Sequence, residues 1–536
     1  MEKVKNKIKH WTSRENLIVV GTLLIAIQPL LDLDYLIYPL LQIFHIPRFA
    51  TIVRFIVIPL MIVLVLFRFE KKRKQAFLIL SIYSVVVLLY FVLHVQNAQL
   101  LYDKLNLTTN FYFSLFSELT YLLTLLLPLI YVRVIDLFTL TETIVKKVTI
   151  ALSCLTAIPI FIGNLFVFGK STYSGYTTAN FLAWFNGAYD VYHPRELASK
   201  FYFSEGNTMG ILLLMILPLL YYFFYKAMKK ERRALCALII IHSIAMIMIS
   251  TRVGTYGAIL VPIAMLVLYG VMLLFRKEKL QWQFPVGLLV IIVLFTVILP
   301  YTPAHVNQTL DAEIHTIAVN SNVQIIEEQR EIVGQGKDLV PGSVEYNYFY
   351  IHIFEDNMNE DNAYLLAGVP KQYYTLWYHY TFDPKFWVDL IFNYTLEERA
   401  NGRVFENIFM NYKWQNLDLG EKMLGMGYST FMFGSIVLEQ DFKQQIYTFG
   451  YVGFVLLVLP WLFILGSCGI LMLRHFKEHF NFKMLTMAMA VVIGMISGYV
   501  SGHTLDQFLT SMFLALLLGY GLSLLKKTKV CDEDVD

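Results

Sequence analysis

About a dozen stretches of the chain run for the better part of twenty residues with almost no charge. They begin near Leu17, Thr51, Ala76, Phe113, Val148, Asn207, Leu235, Gly254, Phe284, Phe449, Met484 and His503. A helix of roughly 20 apolar residues crosses about 30 Å of hydrocarbon. In lipid each backbone N–H and C=O must find its partner inside the segment, which leaves the helix as the form such a run takes. With 57% hydrophobic and 15% charged residues the composition excludes a soluble domain. The sequence therefore predicts an all-α polytopic membrane protein of about 12 transmembrane helices. The first stretch lacks a small-residue cleavage site and runs on into a second span, so it reads as a retained helix.

Lysines and arginines between the spans give the orientation, because they concentrate on the cytoplasmic side. Basic clusters occur at Lys3, Lys5, Lys7 and Lys9, at 68–74, at Arg133 with Lys146 and Lys147, and at 226–233, 276–279, 474–483 and 526–529. All fall on one side if every span crosses once, which predicts cytoplasmic termini. The chain then divides into helices 1–9 (1–300), a large extracellular insert (301–447), helices 10–12 (448–525) and a cytoplasmic tail (526–536). The net charge of +3 hides this asymmetry. Membrane lipids are expected partners and nucleic acid is not. Cys154, Cys236, Cys468 and Cys531 all lie outside the insert, so no extracellular disulfide framework is expected.

The stretch "MISTRVGTYG" holds Arg252 between two apolar runs, and the predicted topology puts it in a tight outer turn. The same reckoning brings other polar elements to that face: Glu205 and Asn207 in "FSEGNTMG", Arg403 and Glu406 in "GRVFENIF", "GMGYS", Glu439 and Asp441 in "LEQDF", and His503 and Asp506 in "SGHTLD". Asp32, Asp34, Arg48 and Arg54 join them. Each alone has a plain structural reading. An arginine can rest among headgroups, Asp32 and Asp34 can form a structural ion pair with Arg54, and Glu205, Asn207 and His503 can start helices. Glu118, inside the fourth span, reads equally as a hydrogen bond to a neighbouring helix. Their shared placement makes a one-sided site.

The insert is far longer than an ordinary connection. Its first part has strand-like patches such as 346–354, and its middle, "QYYTLWYHYTFDPKFW", is aromatic. Those rings suit either an interfacial belt or a platform for the faces of sugars. "TLEERANGRVFENIFMNYKW" reads as a helix with arginines near the membrane surface.

Taken in order, "FYFSEGNTMGILLLMILPLL", "STRVGTYGAIL", "GRVFENIFMNYKWQNLDLGEKMLGMGYSTF", "LEQDFKQQIYTFGYVGFVLL" and "SGHTLDQFLTSMFLALLLGYGL" resemble the O-antigen polymerase and ligase family. These are multi-pass glycosyltransferases of the C superfamily. The resemblance covers about the C-terminal two-thirds of the chain and implies a polyprenyl-diphosphate-linked glycan as substrate, outside the bacterial cytoplasmic membrane. It departs from the ligases at one point. Where they carry a histidine before the Gly-x-x-Gly of the tenth span, Glu439 and Gln440 precede Gly450 and Gly453. That version is closer to the polymerases of Gram-positive polysaccharide systems.

The chemistry implied is attack of an acceptor hydroxyl on an anomeric carbon with departure of the lipid diphosphate. Arg252, Arg403 and Arg54 are the candidates for gripping the diphosphate, since a guanidinium stays charged and forks onto phosphate oxygens. Glu439 or Asp441 would take the acceptor's proton. Asn207, Glu205 and His503 would bind substrate. No HExxH or Asp-x-Asp spacing occurs in the insert, so neither a metal nor another cofactor is expected. Polymerisation of lipid-linked repeat units is the leading reading, and a ligase delivering the glycan to an envelope acceptor is the alternative. A flippase and a chain-length regulator are the protein partners such a pathway implies. A secondary transporter would also suit twelve spans, but the chain lacks two related halves and its polar residues gather at one face.

Overall fold

A computed structural model describes residues 13–44, 46–104, 113–172, 184–185, 197–306, 308–309, 332–357, 369, 371, 373–395, 398–399, 401–428 and 438–533. Among the described residues every longer regular element is a helix, and one isolated bridge joins Ser171 to Ser199. The helices used below are α1 (Arg14–Ala26), α2 (Gln28–Asp32), α3 (Phe49–Phe69), α4 (Arg73–Lys104), α5 (Leu115–Phe138), α6 (Glu142–Leu165), α7 (Gly206–Lys226), α8 (Lys229–Met248) and α9 (Arg252–Leu274). They continue with α10 (Gln283–Ile298), α11 (Val344–Asn357), α12 (Pro384–Asn393), α13 (Gly402–Gln415), α14 (Leu419–Leu424), α15 (Asp441–Leu457), α16 (Leu459–Arg474), α17 (Phe482–Val500) and α18 (Phe508–Glu533).

The all-α polytopic class stands. Among the described residues ten helices are long and apolar enough to cross a membrane, or eleven if the bent pair at 14–36 counts as one span. The remaining expected span, from Leu235, lies in α8, whose first five residues are all charged, KKERR. Too little uncharged length remains there for the same test. The span expected from Phe449 starts earlier, at Asp441, and the one expected from His503 starts later, at Phe508.

The chain forms two compact units. One comprises 1–83, 122–307 and 459–536, and the other 84–121 and 308–458. In the first, α7 is apolar all round and packs against α6, α8, α9 and α17. A helix with no polar face belongs at the middle of a bundle, and 94% of its most apolar window is buried. Two sets of polar groups inside this unit are paired. His242 donates from Nε2 to the Leu213 carbonyl at 2.9 Å and accepts at Nδ1 from Ser153 at 2.8 Å. Arg133 bridges Glu70 and Asp136, and Lys526 donates to Asp136 at 2.6 Å.

The second unit has an aromatic core built on Tyr378, Phe386, Trp387, Phe405 and Phe409. The strand expected at 346–354 is a helix, α11. Tyr350, Ile353 and Phe354 are its buried residues, at i, i+3 and i+4. Their helical spacing and their packing override the β-propensity of aromatic and branched side chains. Part of the aromatic run is core, while Phe382 stays 48% exposed. Tyr378, Phe386 and Trp387 are buried, and Tyr373, Tyr374 and Tyr380 pack on the same core.

Candidate functional site

In the first unit, α8 ends at Met248 and α9 starts four residues later, so the chain reverses within a few residues. Ser250 adopts a positive φ of 56°, and Thr251 caps α9 by accepting from the Gly254 N–H at 3.1 Å. Thr172 ties the turn down from the side, donating to the Ile249 carbonyl at 2.6 Å. Arg252 is thus the first residue of α9 and is exposed. A cation in a first turn opposes the helix macrodipole, so its presence there is not explained by helix stability.

Glu205 caps the start of α7 and Asn207 lies in its first turn. His503, in the positive-φ turn before α18, comes to this place from far along the chain. Its Nδ1 lies 3.3 Å from Asp506 and 3.6 Å from Glu205. Two of the sequence candidates, Glu205 and His503, are therefore neighbours.

The expected pairing of Asp32 and Asp34 with Arg54 is corrected. Asp34 accepts from Arg48 Nε at 2.9 Å and from the Ala50 N–H at 2.7 Å, while Asp32 accepts from the Ser204 N–H at 3.0 Å. Arg54 turns instead to Gln28, donating at 3.0 Å, and lies over the Phe508 ring at 5.3 Å. It falls in a π-helical turn, Val53–Val57, a widened turn that recurs at functional sites. Gln28 is fully buried and is itself held by the Leu24 carbonyl at 2.8 Å. Nothing local in the sequence marks it as the partner.

In the second unit, Arg403 in the first turn of α13 donates from Nε and Nη2 to Glu439 at 2.9 Å, with both side chains about 33% exposed. The Glu439 N–H points to Glu406 at 3.4 Å. Asn407 donates to the Arg403 carbonyl at 2.8 Å and accepts from Lys443 at 3.1 Å. Tyr373 stacks on Phe405 with centroids 5.3 Å apart. Burial first, then Glu406 and Glu439, push its phenol up to about 12, so it keeps its proton. Asp441, the first residue of α15, is fully buried. Of the two carboxylates, Glu439 is the one an acceptor can reach.

A frame of helix ends holds the strand of chain before this pair. His94 and Glu118, both fully buried, lie 3.2 Å apart. His94 Nδ1 donates to the Leu424 carbonyl at 2.7 Å, and Glu118 accepts from the Tyr428 N–H at 2.9 Å. Asn97 donates to the Gly425 carbonyl at 2.7 Å, and the Met426 and Gly427 N–H groups reach Tyr447 and Thr448. Gly425, with φ of 85°, crosses Gly450, with φ of 66°, where α15 kinks. A Cβ on either would collide with the backbone of the other. The "GMGY" stretch is thus a backbone crossing, and the Glu118 hydrogen bond is part of its clamp. His94 was missed because a lone histidine in a span gives no signal of its own.

Among the described residues no three or more His, Cys, Asp and Glu side chains gather as metal ligands. The fold defines a helical membrane protein. Residues 15–528 match the family of O-antigen ligase like membrane proteins, and the chain belongs to that family. No curated protein and no solved structure matches it. Membership points to a glycosyltransferase-type enzyme of polysaccharide assembly that works on lipid-linked glycans in the membrane.

Proposed function

We propose that the protein polymerises lipid-linked oligosaccharide repeat units at the outer face of the bacterial cytoplasmic membrane. An acceptor hydroxyl attacks the anomeric carbon of a glycan carried on polyprenyl diphosphate. The new glycosidic bond forms as the bond to the diphosphate oxygen breaks, the lipid diphosphate leaves with the electron pair, and a carboxylate takes the acceptor's proton. The observation that carries this reading is the Arg403–Glu439 pair, half-open at the head of α13 in a member of this family.

The pair supports both needs of the reaction. A guanidinium binds the growing charge on the diphosphate, where one well-placed donor is worth roughly 3–4 kcal/mol. As Arg403 turns to the phosphate oxygens it gives up Glu439, whose basicity rises at the moment the acceptor must lose its proton. Arg252, at the start of α9, and Arg54 are the cations the first unit offers to a diphosphate. Glu205, Asn207 and His503 hold substrate hydroxyls. Asp441, being fully buried, is assigned to holding the start of α15 in place of the base.

Polymerase is preferred because Glu439, and not a histidine, precedes the Gly450-x-x-Gly453 stretch. The ligase reading is second and rests on the family's own description. The purified protein is incubated in detergent with lipid-diphosphate-linked repeat units from its host. A ladder of lengthening glycans is the expected result. One transfer to an added acceptor, with no ladder, makes the protein a ligase, and no transfer of either kind refutes both.

A further inference from the structure

A cavity of about 540 Å³ opens in the second unit between the 333–341 segment, α11 and α12. This is within the roughly 300–1,000 Å³ of small-ligand sites. It belongs to no part of the reaction described above. Its walls come from two helices that present opposite chemistries. On α11, Tyr346 and Tyr350 stand one turn apart with ring centroids 4.8 Å from each other. Tyr346 is half-buried, and Tyr350 and Phe392 lie beneath as floor. On α12, Lys385, Asp389 and Asn393 recur every four residues along one stripe, with Lys385 paired to Asp389. Burial pushes the Tyr346 phenol up to about 12, so it remains a donor.

We propose that this cavity is a saccharide subsite, holding a sugar unit of the glycan by one apolar face on Tyr346 and by its hydroxyls on Asp389, Asn393 and Lys385. The inference rests on the glycan reading above and adds the place where the sugar is held. A ring-shaped ligand with one C–H face and many hydroxyls satisfies both walls. A lipid tail would cover the Lys385–Asp389 pair and the Asn393 amide while offering them no hydrogen bond, and a bare anion would meet the Asp389 carboxylate. The same helix carries the buried Phe386 and Trp387. Phe386 packs on Phe409 and Trp387 on Phe405, both of α13, with centroids 5.4 and 6.1 Å apart. A sugar bound on α12 is therefore held by the same packed pair of helices that carries Arg403.

The test uses full-length protein in detergent. Its probe is the repeat-unit oligosaccharide released by mild acid from the host's lipid-linked glycan, with binding followed by saturation-transfer NMR. Gly334 lines the cavity and a Cβ there meets nothing within 4 Å, so Gly334→Trp adds bulk at the wall with no clash at its first atom. It is expected to weaken binding at least tenfold with an unchanged melting temperature. Asp389→Asn, of equal size, should weaken it several-fold. Arg403→Ala should bind as wild type while losing transfer. The subsite is overturned if the wild type does not bind the oligosaccharide, or if Gly334→Trp and Asp389→Asn bind it as well as wild type. In that case, a wild type that still builds polymer leaves the polymerase reading standing. Binding that Gly334→Trp abolishes, in a protein that transfers nothing, keeps the subsite and removes the polymerase.

Discussion

Arg252 and Arg403 occupy the same kind of position, the first turn of a helix, but the segments next to them are held in different ways. Around Arg252 the bundle settles its polar groups with its own backbone. Thr251 caps α9, Thr172 reaches the Ile249 carbonyl, and His242 bridges Ser153 to Leu213. Around Arg403 the second unit relies on charges. Glu439 holds the arginine itself, and deeper in the aromatic core Lys413 donates to Asp383 at 2.9 Å, with the Tyr378 and Tyr412 hydroxyls on the same carboxylate. The comparison teaches that a helix end can be aimed by the local turn, as at Arg252, or by an ion pair between distant segments, as at Arg403. The second kind is the more easily unsettled by a single substitution.

The largest structural effect is expected at the buried pair. Asp383→Ala leaves the ammonium of Lys413 in an aromatic core and should destabilise the second unit by roughly 3–5 kcal/mol, and Lys413→Met, which leaves Asp383 only the Tyr378 and Tyr412 hydroxyls, should also destabilise it, by less. Hydrogen exchange across α12 and α13 measures both, and equal losses would mean the pair itself holds the fold. Next comes Gly425→Ala, where a positive φ alone costs roughly 1–3 kcal/mol before the collision with Gly450. It should disturb exchange in α15 and leave α9 unchanged. Thr251→Ala removes a cap worth about 1 kcal/mol and should loosen only the start of α9. If that change spread to α13, the contrast between the two arginines would fail.

The buried pair also sets a pH dependence. Burial pushes Asp383 up to about 6 and pulls Lys413 down to about 7. The folded protein holds the Asp383 proton more firmly than the unfolded chain, so that contribution to stability is lost as pH rises from about 4 to about 6. It releases the Lys413 proton more readily, so the cost of that charge is relieved as pH rises from about 7 towards 10.5. The second unit should be least stable near pH 6–7 on this account. Lys413→Met should lack the alkaline rise, and an unaltered profile would separate the pair from the effect.

The bundle was legible from sequence because an apolar run of fixed length has one outcome in lipid. The site was legible only as residue types. Arg403 and Glu439, 36 positions apart, could be named separately but not paired, and Glu205 and His503 likewise. Arg54 is attracted by both Asp32 and Asp34, as the sequence suggests, but its hydrogen bond goes to Gln28, which charge complementarity gives no reason to choose. In the aromatic run the sequence does not tell which rings are core, because core and surface draw on the same residues; packing shows that Tyr378, Phe386 and Trp387 are core. Glu118 kept two readings until His94 and Tyr428 were seen beside it.

The account stands most directly on one measurement, the rate of glycan transfer from the lipid diphosphate by Arg403→Ala and by Glu439→Gln beside the wild type. The expected result is a fall of roughly 100-fold or more in each, in variants whose α12 and α13 exchange like the wild type's. Full polymer output from either variant would contradict the assignment of this pair to the leaving group and the acceptor proton.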